Sequence, residues 1–232
     1  MLFYIVYKQI CVFNRSFTCM SYWIEETIKR YPALETVRKQ LEEAVSRTIE
    51  MYRNDGTFFV AGNGGSAADA DHICGELLKG FKSLRPFSDE ELDKWQQLFG
   101  DEAREKAARL QKGLRAVSLL SHPGFISAFG NDVDGSLSFA QQLLALGRKG
   151  DIFLGISTGG GAENIKYAFM AAKTAGIFTI LLTGNKHGIC EKYADLTIAV
   201  PESETFKIQE LHLPIYHAFC LEVEDAMFGN RK

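Results

Sequence analysis

His72 and Glu76 stand four residues apart in the stretch GNGGSAADADHICGEL, residues 62–77. On a helix that spacing puts an imidazole and a carboxylate on one face, with Asp69 on the same helix. Alone, such a pair is commonly a surface ion pair or a satisfied helix histidine, so its meaning depends on its surroundings. Directly before it come Gly62, Asn63, Gly64, Gly65 and Ser66, a bare polar turn that opens a helix and exposes backbone N–H groups to an anion such as phosphate. Two more turns of this kind follow apolar runs, STGGGAEN at 157–164 and TGNKHG at 183–188. Near the C-terminus, Gln209 and His217 are eight apart, about two helical turns and so roughly one side. His212 is a decoy three residues from Gln209, and Pro214 is expected to free the carbonyl of Glu210 and kink the helix. Leu211, Ile215, Phe219 and Val223 on the same helix are core candidates, so Gln209 and His217 fit either a site or a docking element.

Two nucleotide readings weaken on inspection. Gly62, Gly64 and Ala67 fit the loose dinucleotide pattern, but the acidic residue expected roughly 20 positions on falls in a charged insertion, and the next strand ends at Ser121 and His122. No Gly-Lys-Ser or Gly-Lys-Thr follows any of the three turns, which excludes a P-loop.

The elements that must position these residues alternate. Residues 22–54 carry apolar positions at helical spacing, with Pro32 suited to the first turn of a second helix. Strand-like runs then appear at 57–61, 116–120, 151–157, 178–183 and 195–200. The last three are almost wholly apolar, as central parallel strands are, and the alternation predicts a doubly wound α/β sheet. Between the first two strands, residues 86–113 are highly charged. Ser88 and Glu91 form a capping-box pattern, and Leu92, Trp95, Leu98 and Phe99 make a helical apolar stripe that stops at Gly100. This predicts a two-helix insertion, either a packed arm or a lid or subunit contact.

Composition narrows the classes. The 26 basic and 29 acidic residues give no polybasic surface for nucleic acid or membrane. Five widely spaced cysteines without a Cys-x-x-Cys pair read as reduced cytosolic thiols, and no apolar run reaches the roughly 20 residues of a spanning helix. Residues 1–19 lack the basic leader and cleavage site of a signal peptide, and Met20 is an alternative start, which leaves residues 20–232 as a single domain.

Taken together, AGNGGSAADADHICGEL, GISTGGGAENI, ILLTG and KIQELHLPIYH resemble the sugar isomerase (SIS) domain family, specifically its phosphoheptose isomerase branch, over most of residues 22–228. The resemblance implies a three-layer αβα sandwich with a five-stranded parallel sheet, and a cytoplasmic homotetramer with active sites built between subunits. It implies isomerisation of sedoheptulose 7-phosphate to D-glycero-D-manno-heptose 7-phosphate. By position, His72, Glu76, Gln209 and His217 match the family's metal-site residues, usually holding one zinc ion, and Glu76 and His217 also match its acid/base pair. Asn63, Gly64, Gly65 and Ser66 at the first turn, Ser157, Thr158 and Gly159 at the second, and Gln209 match its substrate and phosphate contacts. The related non-enzymatic branch, the replication-initiator-associating proteins, generally lacks the matching glutamate and second histidine.

The residue types suit that chemistry. Ketose-to-aldose conversion moves a proton between adjacent carbons through an enediol, which needs a base, an acid and stabilisation of the enediolate charge. A metal-bound carboxylate is less basic, so the two roles compete at Glu76. Where the family's second turn reads Ser-Thr-Ser-Gly-Asn-Ser, this chain has Gly159 and Ala162 in place of hydroxyls, and Leu120, Ser121 and His122 replace Thr-Thr-Asp. These departures leave two alternatives: another ketose phosphate as substrate, or a non-catalytic module that senses a sugar phosphate.

Overall fold

The computed structural model describes residues 21–229; the extension expected at 1–19 lies outside the described residues. Helix α1 (Tyr22–Arg30) and helix α2 (Arg38–Arg53) open the chain. Pro32 does not begin the second helix as its spacing suggested: it opens a tight 3-10 segment, Pro32–Val37, that redirects the chain before α2. Ser21 makes no side-chain cap for α1. Glu222 performs that task from the far end of the sequence, its Oε1 accepting from the N–H groups of Trp23 (2.6 Å) and Ile24 (3.2 Å).

The five strands are β1 (Phe58–Gly62), β2 (Ala116–Ser118), β3 (Ile152–Ile156), β4 (Phe178–Thr183) and β5 (Leu196–Ala199). They pair in parallel in the order β2-β1-β3-β4-β5. Helices α3 (Gly65–Leu78), α4 (Asp89–Phe99), α5 (Asp101–Ala107), α6 (Pro123–Phe129), α7 (Ser138–Leu146), α8 (Glu163–Thr174) and α9 (Thr205–Phe228) complete the fold. One core, from Ile24 to Val223, joins α1, α2, α3 and α9 to one sheet face; the other, centred on Phe153, Phe169 and Leu181, lies beneath α7 and α8. Helices thus cover both faces of a parallel sheet, the three-layer arrangement.

Two strand expectations need correction. β2 ends at Ser118 rather than 120, because the chain turns there and Ser121 N–H bonds back to Ser118 O at 3.1 Å. β5 is an edge strand, not a central one, and its burial alternates; its apolar side chains face a single core. In the insertion, Ser88 and Glu91 form the reciprocal capping box of α4. Only Leu92 of its apolar stripe is buried, while Leu98 and Phe99 stay 72% and 70% exposed. Pro214 lies within the unbroken span of α9. Among the described residues no helix is long and apolar enough to cross a membrane.

Candidate active site

The strand order reverses between β1 and β3, and in sheets of this kind ligands sit beyond the carboxyl ends of the strands at that point. β1 and β3 run in register to Gly62 and Ile156, so the turns that leave them, at Asn63 and Ser157, emerge side by side. The turn at 63–65 needs glycine at Gly64, where φ is +57°, and Gly65 lies so close to Gln209 that a Cβ there would meet its side-chain amide. Gln209 is therefore set directly against the start of α3. Ser66 is buried in the first turn of that helix, and Ser157 is buried at the end of β3.

The two turns are tied together by a residue that sequence reasoning passed over. Asn63 and Asn164 exchange reciprocal amide hydrogen bonds, both 2.9 Å. Thr158 and Gly159 lie on the second turn, between Ser157 and Asn164 in the chain. The third turn does not form an independent cradle: Gly184 N–H and Thr183 Oγ1 donate to Thr158 O at 3.0 and 3.3 Å, and Gly188 packs on Gly160, so it buttresses the second. His187 is exposed there and paired with Glu191.

Beyond the first turn, α3 carries His72 and Glu76 one helical turn apart, with His72 Nε2 3.2 Å from Glu76 Oε1. α9 brings His217 beside them, its ring centroid 5.1 Å from that of His72 and 5.4 Å from that of Phe81. Burial holds the His217 imidazole below its ordinary pKa, aided by the neighbouring His72 and opposed by the Glu76 carboxylate. The structure thus gathers His72, Glu76 and His217 into one cluster and sets Gln209 at the glycine turn. His212, the decoy, is wholly buried, with Nε2 3.3 Å from Thr183 O; burial pushes it down to about 4. His122, on the altered loop after β2, instead bonds Gln142 Oε1 through Nδ1 at 2.9 Å.

Two polar groupings around the cluster had no motif to announce them. Tyr216 OH lies 3.2 Å from Asp69 Oδ1 and 3.1 Å from His72 Nδ1. Arg85 and Glu224 form a buried pair behind Glu76: the guanidinium donates to the carbonyls of Leu77 (2.8 Å) and Glu76 (3.2 Å), closing the C-terminal end of α3. The neighbour relation of Tyr216 to His217 and the i, i+3 spacing of Asp69 and His72 were the available signals.

A divalent ion can be tested against this donor set. Among the described residues no three His, Cys, Asp or Glu side chains are gathered tightly enough to hold a metal as they stand. Yet Glu76 Oε2 and His217 Nε2 are buried without a hydrogen-bond partner, the nearest ion-pair contact of Oε2 being Lys79 Nζ at 3.6 Å. Orphaned buried carboxylate and imidazole atoms next to a second imidazole are the chemistry a divalent cation satisfies, so the residues fit the group.

No family profile matches the chain. Curated relatives do. The chain is 36% identical over 197 residues to the phosphoheptose isomerase of Aneurinibacillus thermoaerophilus, covering 85% of this chain and 86% of that one. It is 34% identical over 210 residues to that of Sulfurimonas denitrificans, covering 90% and 93%. Among solved structures it is similar to a phosphoheptose isomerase from Francisella tularensis (TM-score 0.70, 27% identity, 90% and 98% coverage). It is also similar to phosphoheptose isomerase GmhA from Neisseria gonorrhoeae (TM-score 0.67, 29% identity, 87% and 95% coverage). With its glycine turns and its His72, Glu76 and His217 cluster in one site, this chain belongs to the phosphoheptose isomerase family of SIS-domain proteins.

Proposed function

We propose that the chain isomerises sedoheptulose 7-phosphate to D-glycero-D-manno-heptose 7-phosphate at this site. The observation that carries the reading is the convergence of His72, Glu76 and His217 beside the Asn63–Ser66 turn in a chain of this family. The phosphate is received by the N-terminal end of α3 and by Ser66, Ser157, Thr158 and Gly159, with Asn63 and Asn164 holding the two turns in register. Glu76 removes a proton from C1 of the ketose, giving an enediol, and returns it to C2. His217, kept neutral by burial, accepts the proton of the C1 hydroxyl and delivers one to the oxygen on C2. Each proton removed is replaced one atom along, so the net change is isomerisation.

A divalent ion, zinc by the family resemblance, would be held by His72, Glu76, Gln209 and His217. When bound it supplies Lewis-acid stabilisation of the enediolate charge. The same reading places the protein in the cytoplasm, in keeping with the free buried thiols of Cys74, Cys190 and Cys220, and assembles it as a homotetramer. Val133, Leu144 and Leu146, left exposed around α6 and α7, favour such an assembly. A different ketose phosphate is the second reading, favoured by Gly159 and by Ala162, which opens α8 without a side-chain cap. The test is NMR of sedoheptulose 7-phosphate with zinc-loaded and chelator-stripped protein. Conversion that depends on the metal supports the proposal; zinc-loaded protein that leaves this sugar unchanged refutes it.

A further inference from the structure

We infer that Tyr216 is a positioning residue that, with Asp69, fixes the His72 imidazole with Nδ1 protonated, so that Nε2 presents a lone pair to a cation. The inference rests on the reading of His72 and Glu76 as site residues. Asp69 and His72 share a face of α3, three residues apart, and Tyr216 reaches them from α9, the helix that also carries Gln209 and His217. A phenol has one proton to give. Tyr216 OH donates to Asp69 Oδ1 at 3.2 Å. Its 3.1 Å contact with His72 Nδ1 is then made by the ring N–H donating to the phenol oxygen.

A neutral imidazole protonated on Nδ1 keeps its lone pair on Nε2. That atom lies 3.2 Å from Glu76 Oε1. Two acceptors at this distance repel unless a cation lies between or beside them; Lys79 Nζ approaches only Oε2, at 3.6 Å, and Glu76 Oε2 and His217 Nε2 in the same cluster have no hydrogen-bond partner. The Asp69–Tyr216–His72 chain is thus the support that orients a metal-binding imidazole through its other nitrogen. It also locks α3 to α9 at the level of the site, and the T-shaped packing of the Tyr216 and His72 rings, 5.3 Å apart, fixes the imidazole plane.

The test measures zinc affinity by competition with a chromophoric chelator in wild type, Tyr216→Phe and Asp69→Asn, with each metal-free melting temperature as a check on folding. Tyr216→Phe removes one oxygen and keeps the ring. Asp69→Asn keeps the shape but lets the phenol proton turn to Nδ1, forcing the wrong tautomer, as an Asp-to-Asn change does in a serine protease triad. The expected result is roughly 10- to 100-fold weaker zinc binding in both variants. In wild type, ¹⁵N–¹H spectra should show His72 protonated at Nδ1. Unchanged affinity in both variants, or His72 protonated at Nε2 in zinc-loaded wild type, would overturn the inference while leaving isomerisation to the sugar assay. Wild type that binds no zinc would overturn it together with the metal reading.

Discussion

Arg85 and Glu224 are joined in a buried ion pair, Nη2 to Oε1 at 2.8 Å, and the pair bridges the end of α3 to α9. Each partner uses its remaining atoms locally. Arg85 closes the carbonyls of Glu76 and Leu77, while Glu224 collects the N–H groups of Phe81 (2.8 Å), Lys82 (2.9 Å) and Ser83 (3.1 Å). The same unit therefore holds the backbone of Glu76 and the segment whose Phe81 ring packs on His217.

Removing one partner strands a buried charge. Arg85→Met is expected to cost about 3–5 kcal/mol of stability, since Glu224 keeps its desolvation cost without its counter-ion. Urea unfolding checks this. A loss below about 1 kcal/mol would mean that the carboxylate finds another partner or protonates.

The Asn63–Asn164 exchange predicts a defect in binding rather than in chemistry. Asn164→Ala deletes both bonds, at about 1 kcal/mol each, and frees the two phosphate turns from one another. KM for the sugar phosphate should rise roughly 10- to 30-fold with kcat far less affected. A fall in kcat at unchanged KM would place Asn164 in the chemistry instead.

His212 predicts acid sensitivity. Burial holds its folded pKa at about 4, below the ordinary 6.5, so the unfolded chain takes up the proton first. Its contribution is complete above pH 6.5 and is lost as pH falls toward 4, a span worth roughly 3 kcal/mol. His217, also lowered, acts in the same direction, so the informative quantity is the difference between wild type and His212→Gln. The variant should show a flatter decline of stability between pH 6.5 and 4; parallel profiles would remove His212 from the acid response.

Much of this arrangement was legible because it follows from local pattern. Apolar runs bounded by glycine turns gave the parallel sheet, and the i, i+4 spacing placed His72 and Glu76 on one face. Strand position was less legible: β5 is as apolar as a central strand, yet its place at the edge depends on pairing order, which a linear run does not carry. Asn164, Arg85 and Glu224 were missed for the same reason. Their partners are 101 and 139 residues away in sequence, and an isolated asparagine, arginine or glutamate reads as surface until the fold buries or pairs it. Trp95, Leu98 and Phe99 show the converse, a helical stripe that the chain's own packing leaves largely exposed.

The most direct test of the central claim is NMR in D₂O of sedoheptulose 7-phosphate with zinc-loaded wild type and Glu76→Gln. Wild type should produce the aldose 7-phosphate, with solvent deuterium at C2 to the extent that the proton held by Glu76 exchanges before it is returned. Glu76→Gln, folded and compared at matched zinc occupancy, should be slower by about 10²–10⁴-fold. Conversion by Glu76→Gln at the wild-type rate would contradict the account by removing Glu76 from the proton transfer.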